Sequence, residues 1–441
     1  MDNWENIVVR INSIIYNNDF NHPLNKFDTS NISGTGFFID KNLILTCYHV
    51  IEGALSINIS YKSINNIECE IKYIYPDDDL AIIKIVANSL ILDYNILSFK
   101  VIKNKNEISN DSTVYTVGFP LSSKNVKTTK GSISGFQDSL LQTDAALNQG
   151  NSGGPLIILD SDNSYKIIGI NVSKFSGESE KTGFAIPIYR FISIYYNNDK
   201  IIIKRPLILL DYQPIIQNEF KYIIFGDNNQ NNGLKITLIN KNYYLSKYMK
   251  IGDIIVSVNN KVIDNNGNIK FDFYPEKIAF QDIGLWFKEN DEITFGLFDS
   301  KNKNITYKKF NLEIINTNLF YYCNLPNTPN IKKYYVENNG LILSIITNKH
   351  FKKLKELNLS FVNIIKIFNR YSLQADLFTV YLCDLDYSKI SKTFNKYPIN
   401  EIIIKINDKE FTNYNQFIKI IQEEKIVKFT TINNEEFYLP N

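Results

Sequence analysis

Apolar residues over the first two hundred positions come in short runs separated by turn formers, the punctuation of an all-β barrel or sandwich. Ile7-Val8-Val9-Arg10-Ile11 is the first candidate strand, and residues 17–32 form a polar connection. Two further runs, Ser33 to Ile39 and Leu43 to Thr46, flank a turn at Asp40-Lys41-Asn42, and the second leads directly into Cys47-Tyr48-His49-Val50-Ile51. A later run, Leu80 to Ile85, is entered from three consecutive aspartates, Asp77, Asp78 and Asp79.

Beyond this region the pattern changes. Ile188 to Tyr196 carries apolar residues at helical spacing and predicts a closing helix, with Asn197 to Lys200 as a candidate linker. Asp253-Ile254-Ile255-Val256-Ser257-Val258-Asn259-Asn260-Lys261 matches Glu401-Ile402-Ile403-Ile404-Lys405-Ile406-Asn407-Asp408-Lys409 at a fixed offset. Each is an acidic residue, a buried strand and a polar turn, so the repeat predicts two copies of one module. The expected division is 1–200, 201–317 and 318–441, within the two to four domains that 441 residues allow.

Composition narrows the function classes. A hydrophobic content of 44% supports sizeable cores. Lys+Arg 48 against Asp+Glu 46 leaves a net charge of +2 with no charged run, so neither nucleic acid nor an anionic membrane is indicated as a partner. No apolar run approaches the ~20 residues of a membrane span. The start lacks the basic and apolar regions of a secretory leader. Cys47, Cys69, Cys323 and Cys383 are scattered without metal-ligand spacing and read as free thiols in a reducing compartment. The expectation is a soluble intracellular protein, cytoplasmic, with an organelle or a virion left open. Heavy use of Ile, Asn, Lys and Tyr reads as an AT-rich coding genome. No phosphate-binding glycine loop or metal-ligand cluster is present, so no cofactor and no metal are expected.

The candidate chemistry centres on Gln149-Gly150-Asn151-Ser152-Gly153-Gly154-Pro155. It could be a polar surface turn. The glycines equally let the backbone curl around one hydroxyl, aiming the N–H groups of Gly150 and Ser152 into a concavity that can stabilise an oxyanion. A nucleophilic serine needs a base and the base an orienting carboxylate. Of three histidines, His22 precedes Pro23 in a polar loop and His350 lies in a Lys-rich stretch, whereas His49 follows a strand where a barrel can hold it rigidly. Asp79 enters an apolar strand directly and is the candidate carboxylate, while Asp77 and Asp78 read as a solvated turn.

The order His49, Asp79, Ser152 is that of chymotrypsin-like proteases, and the surrounding residues resemble the HtrA/Deg branch of that family. The matching segments are Gly34 to Ile39, Leu45 to Val50, Asp79 to Lys84, Val117-Gly118-Phe119-Pro120, Thr128 to Ser134, Gln142 to Pro155 and Gly183 to Pro187. The first copy of the repeat, with Gly233 to Ile239 and Lys250-Ile251-Gly252 before it, resembles a PDZ domain of the HtrA type. The second, with Gly340 to Ile346, is more divergent, a layout similar to the two-PDZ Deg proteases of plants and protists.

The resemblance implies a mainly β protein: a chymotrypsin-like double β-barrel protease domain (1–200), a PDZ domain (201–317) and a divergent PDZ-like module (318–441). It implies Ser152 as nucleophile, His49 as base, Asp79 as its orienter, and an oxyanion hole at Gly150 and Ser152 assisted by Asn151. Asn151 stands where digestive-type proteases carry an aspartate that pairs with a newly cut N-terminus, so reversible ordering of loops 145–151 and 173–182 is expected instead. Ala146, at the base of the specificity pocket, implies small or medium aliphatic side chains before the cut. C-terminal peptides would be captured at Asn232-Gly233-Leu234, facing a helix near Glu276 to Leu285, unless that fold serves only packing. Unfolded or misfolded proteins as substrates, cleavage without ATP and a homotrimer or multiple of trimers are further implications. Two alternatives stay open: a PDZ-based binding or holdase protein with a resting protease domain, and a processing protease dedicated to one partner.

Overall fold

The computed structural model describes residues 4–17, 28–86, 92–103, 107, 112–172, 183–195, 200–206, 208–226, 232–239, 243–314, 335–338, 341–345, 380–385, 401–411, 414–423 and 426–440. Two closed barrels come first. The first is built from β1 (Val8–Asn17), β2 (Asp28–Asp40), β3 (Leu43–Cys47), β4 (Ala54–Tyr61), β5 (Ile64–Tyr75) and β6 (Leu80–Ile85), in ring order β1-β2-β3-β6-β5-β4. The second is built from β7 (Thr113–Gly118), β8 (Lys127–Gln137), β9 (Leu140–Thr143), β10 (Pro155–Leu159), β11 (Tyr165–Val172) and β12 (Gly183–Pro187), in ring order β10-β11-β12-β9-β8-β7. This is the double-barrel architecture expected from the sequence.

The local patterns explain the strands. In β5, Ile67 and Cys69 are buried while Glu68 and Glu70 are exposed, the period-two alternation of a strand with one wet face. In β6, Leu80, Ala81, Ile82, Ile83 and Ile85 are all buried, as a continuous apolar run suggests for a strand covered on both faces. Val117, Phe119, Ile157, Ile170 and Ile186 of the second barrel join the first barrel's core, so the two barrels pack through one apolar cluster.

Helix α1 (Tyr48–Ile51) follows β3, and α2 (Ile188–Ile194) closes the second barrel as its spacing predicted. The chain then runs back along the first barrel, where Ile74 N–H donates to Ile201 O (2.8 Å) and Ile203 N–H to Ile74 O (2.9 Å).

A third sheet follows: β13 (Asp211–Pro214), β14 (Leu234–Leu238), β15 (Ile254–Val258), β16 (Lys261–Val262), β17 (Asn268–Lys270), β18 (Lys277–Ala279), β19 (Glu292–Asp299) and β20 (Asn304–Asn311). Its main order is β13-β14-β15-β19-β20, and β17 and β18 pair separately. Helix α3 (Asn218–Phe225) lies between β13 and β14 in the chain. The last sheet has β21 (Tyr335–Asn338), β22 (Leu341–Ile345), β23 (Val380–Leu385), β24 (Ile402–Ile406), β25 (Lys409–Glu410), β26 (Ile426–Thr431) and β27 (Glu436–Pro440), with α4 (Tyr414–Glu423).

The sequence repeat appears as one hairpin built twice. Asn259 and Asn260 have φ 48° and 60°, and Asn407 and Asp408 have φ 51° and 61°, the left-handed pair of a two-residue turn. Asn259 Oδ1 accepts from Thr294 N–H at 2.8 Å, and Asn407 Oδ1 accepts from Lys428 N–H at 2.7 Å. Among the described residues no helix is long and apolar enough to cross a membrane.

Candidate active site

The base sits in the first turn after β3. His49 N–H donates to Asp79 Oδ1 (2.9 Å), and His49 Nδ1 faces Asp79 Oδ2 at 2.7 Å. One carboxylate thus grips both the backbone and the ring of the histidine. A proton held on Nδ1 by that carboxylate leaves Nε2 as the acceptor. Both side chains are about three-quarters buried, with 22% and 24% exposure. Asp79 itself adopts the left-handed conformation (φ 55°, ψ 38°) that ends the turn Pro76–Asp78, and its carbonyl accepts from Tyr48 N–H at 2.9 Å. Aspartate is among the few residues that tolerate this conformation.

The nucleophile loop is tied to the first barrel by Thr35 of β2. Thr35 N–H donates to Ser152 O (2.9 Å), and its Oγ1 donates to Gly150 O (2.7 Å) and accepts from Phe119 N–H (3.0 Å). Gly153 packs so closely that a Cβ there would lie 2.2 Å from both Thr35 O and Thr46 Oγ1 and 2.9 Å from Cys47 N. This close approach brings the residue after Ser152 onto the strand end that presents His49. Gly150 and Gly153 have φ +98° and +85°, values that glycine alone adopts freely. Ser152 is 4% exposed. Asn151 N–H donates to Asn148 O at 3.0 Å, so that donor is committed inside the loop and not offered to an oxyanion.

Other expected site residues fall differently. Ala146 is exposed, and its carbonyl accepts from Thr129 Oγ1 at 2.8 Å. The loop 173–182 lies outside the described residues. Asn232-Gly233-Leu234 does not lead a free strand edge: β14 pairs with β13 on one side and β15 on the other. Both rows of its backbone hydrogen-bonding groups are engaged, so the expectation of peptide addition at this loop is corrected. Asn232 Oδ1 also accepts from the buried Lys221 Nζ at 2.7 Å. The helix expected near Glu276 to Leu285 is instead β18 followed by a 3-10 helix, Phe280–Trp286.

Asp78 overturns the solvated-turn expectation. Its side chain is fully buried, accepting from Arg190 Nε at 2.8 Å and from Arg205 Nε at 2.6 Å. Neither arginine was singled out from the sequence. The available signal was scarcity: four of the 48 basic residues are arginine, and these are two of them.

Residues 34–170 match the model of the trypsin-like peptidase domain. The chain is similar to HtrA/Deg serine proteases. It is 31% identical over 277 residues to the serine protease Do-like HtrA of Bacillus subtilis (strain 168), covering 56% of this chain and 59% of that one. It is 27% identical over 278 residues to the putative protease Do-like 13 of Arabidopsis thaliana, covering 60% and 54%. A probable periplasmic serine endoprotease DegP-like from Rickettsia conorii is 37% identical over 170 residues, covering 35% and 31%. The chain thus spans between about a third and three-fifths of the length of these relatives. The HtrA-type protease AlgW with tripeptide shares the fold at TM-score 0.50 and 20% identity, over 69% of this chain and 92% of that one.

Proposed function

We propose that this chain is an ATP-independent serine endopeptidase of the HtrA/Deg type. Ser152 Oγ attacks the scissile carbonyl, giving its proton to His49 Nε2, while Asp79 holds the ring and stabilises the imidazolium that forms. The developing oxyanion is met by the N–H groups of Gly150 and Ser152. His49 then returns the proton to the leaving amine, and water releases the acyl-enzyme through the same base. The observation that carries this reading is the double grip of Asp79 on His49. The close seating of Gly153 on the same strand end supports it.

The uncharged stretch Ala145-Ala146-Leu147 supports cleavage after small or medium aliphatic side chains. Unfolded or damaged proteins as substrates and assembly as a homotrimer or a multiple of trimers are carried over from the HtrA/Deg resemblance. Residues 1–200 form the protease unit in this reading, 201–317 a PDZ-like module and 318–441 a divergent second copy. A C-terminal peptide would meet β13, the outer strand of the third sheet on that side, rather than Asn232-Gly233-Leu234.

Digestion of an unfolded model protein by wild type beside Ser152→Ala, with cut sites read by mass spectrometry, tests the reading. Wild type cuts mainly after Val, Ile, Ala or Leu, and the variant is slower by at least about 10³-fold. Absence of cleavage by both, with C-terminal peptides added, would sink it in favour of a binding protein. Cleavage of one native partner alone would replace quality control by dedicated processing.

A further inference from the structure

Two of the chain's four arginines converge on the carboxylate immediately before Asp79. Arg205 lies on the segment that leaves the second barrel, and its side chain is fully buried. Its Nε donates to Asp78 Oδ2 (2.6 Å) and its Nη2 to Asp78 Oδ1 (3.3 Å) and Arg190 O (2.5 Å). Its Nη1 donates to Ser193 Oγ (3.2 Å) and to Phe287 O (2.9 Å). Its backbone N–H donates to Asp77 Oδ2 at 2.8 Å. A guanidinium has five N–H donors in one rigid plane, and all five are engaged here. Lysine could not replace it, because a single ammonium cannot span acceptors spread over that plane. In a chain that otherwise favours lysine so strongly, arginine stands where the geometry demands it.

The acceptors come from three places: the turn Pro76–Asp78, helix α2, and Phe287 at the end of the 3-10 helix that belongs to the third sheet's core. Asp79 follows that turn directly, in the left-handed conformation, with both carboxylate oxygens facing His49. A small rotation of the turn would therefore move both contacts to the histidine together. Tyr189, beside Arg190, stacks on Phe273 of the same outer unit, with centroids 5.2 Å apart and planes at 7°.

We propose that Arg205 is a positioning residue for the Asp79–His49 pair and makes the geometry of that pair depend on how the third sheet docks. The proposal rests on the Ser-His-Asp reading above. It places the link between the outer sheet and the chemistry on the carboxylate side of the triad, through Phe287, Arg205 and Asp78.

The test uses the full chain and two readouts. Diisopropyl fluorophosphate phosphorylates Ser152 Oγ with loss of fluoride, and the labelling rate is normalised to the folded fraction, with Ser152→Ala as blank. The downfield proton resonance of His49 Nδ1–H reports the histidine–carboxylate contact without any turnover. Arg205→Ala is expected to label about 10²-fold more slowly per folded molecule, the scale of a misplacement of about 1 Å, and to broaden or lose the resonance. Arg205→Lys falls between, since its ammonium pairs with Asp78 but cannot also hold both carbonyls. Phe273→Ala, which loosens docking without touching Asp78, slows labelling less, and the double variant is no slower than Arg205→Ala alone.

Wild-type labelling and an intact resonance in folded Arg205→Ala would overturn the positioning role, leaving a purely structural residue. Additive losses in the double variant would overturn the dependence on docking. If Arg205→Ala does not fold, Arg205→Lys decides, and wild-type behaviour of that variant overturns the proposal. A wild type that shows the resonance but never labels would refute the serine-nucleophile reading, and loss of the resonance in Arg205→Ala would still uphold the positioning role.

Discussion

Asn151 shows how much one atom beside the nucleophile constrains. The residue is 4% exposed, and its buried Oδ1 has no hydrogen-bond partner among the described residues. It sits against Gly118, where an added Cβ would lie 2.9 Å from that oxygen. An aspartate would put an ionised carboxylate where the amide oxygen already lacks a donor. Asn151→Asp is expected to cost about 3 kcal/mol at neutral pH. The buried acid's pKa would be raised, so the penalty fades as pH falls and the carboxyl protonates. Urea unfolding of both proteins at neutral and mildly acidic pH checks this, and an equal gap at both would refute it. That Asn151 cannot pair with an ammonium was legible in the sequence. So was the pairing of His49 with Asp79, because each lies in a distinctive segment. Asp78 was not, since three adjacent aspartates carry no local sign of which is buried. Only the two arginines, 112 and 127 residues further on, decide it.

At the scale of elements, the loop between β9 and β10 is seated on β2 and β3 by close backbone contacts together with the Thr35 hydroxyl. Gly153 is the contact point, with φ +85° and no room for a Cβ. Gly153→Ala is expected to destabilise by about 2–5 kcal/mol, combining a left-handed alanine with overpacking against rigid backbone. In the fraction that folds, labelling of Ser152 should fall further than stability predicts, because relief of the clash displaces the nucleophile from the strand end that carries His49. Denaturant unfolding and fluorophosphonate labelling of one preparation separate the two effects. Wild-type labelling in a stable variant would show that the loop yields elsewhere. The repeated hairpin was equally legible, because Asn-Asn and Asn-Asp at a strand end demand a left-handed turn. The pairing of β14 was not. A five-residue strand after Asn232-Gly233-Leu234 looks the same whether its outer edge is free or covered, and β13 that covers it lies 20 residues upstream.

For the whole molecule, the contact between the second barrel and the third sheet is where sequence said least. Tyr189 stacks across the junction on Phe273 and lies 5.9 Å from Trp286 as well. At the edge of this contact Asp282 accepts from Ser139 Oγ at 3.3 Å. Burial raises the Asp282 pKa above its ordinary 3.8, opposed by the Ser139 hydrogen bond and the Arg190 charge, with Asp138 adding to the rise. The sign follows from linkage. An acid whose pKa is raised on folding binds its proton more tightly in the folded protein, so stability from this group increases as pH falls into the window above 3.8. At neutral pH its ionised form weakens the junction. Asp282→Asn carries no such charge and keeps an acceptor for Ser139. It should therefore melt higher than wild type at neutral pH by roughly a few degrees, with the gap closing on acidification. Other carboxylates, such as Asp78, lose stabilising pairs at low pH in both proteins, so the difference between the two melting profiles is the quantity to read. Parallel profiles would mean that Asp282 is already solvated at the junction, and that the stacked aromatics hold the sheet against the barrel without it.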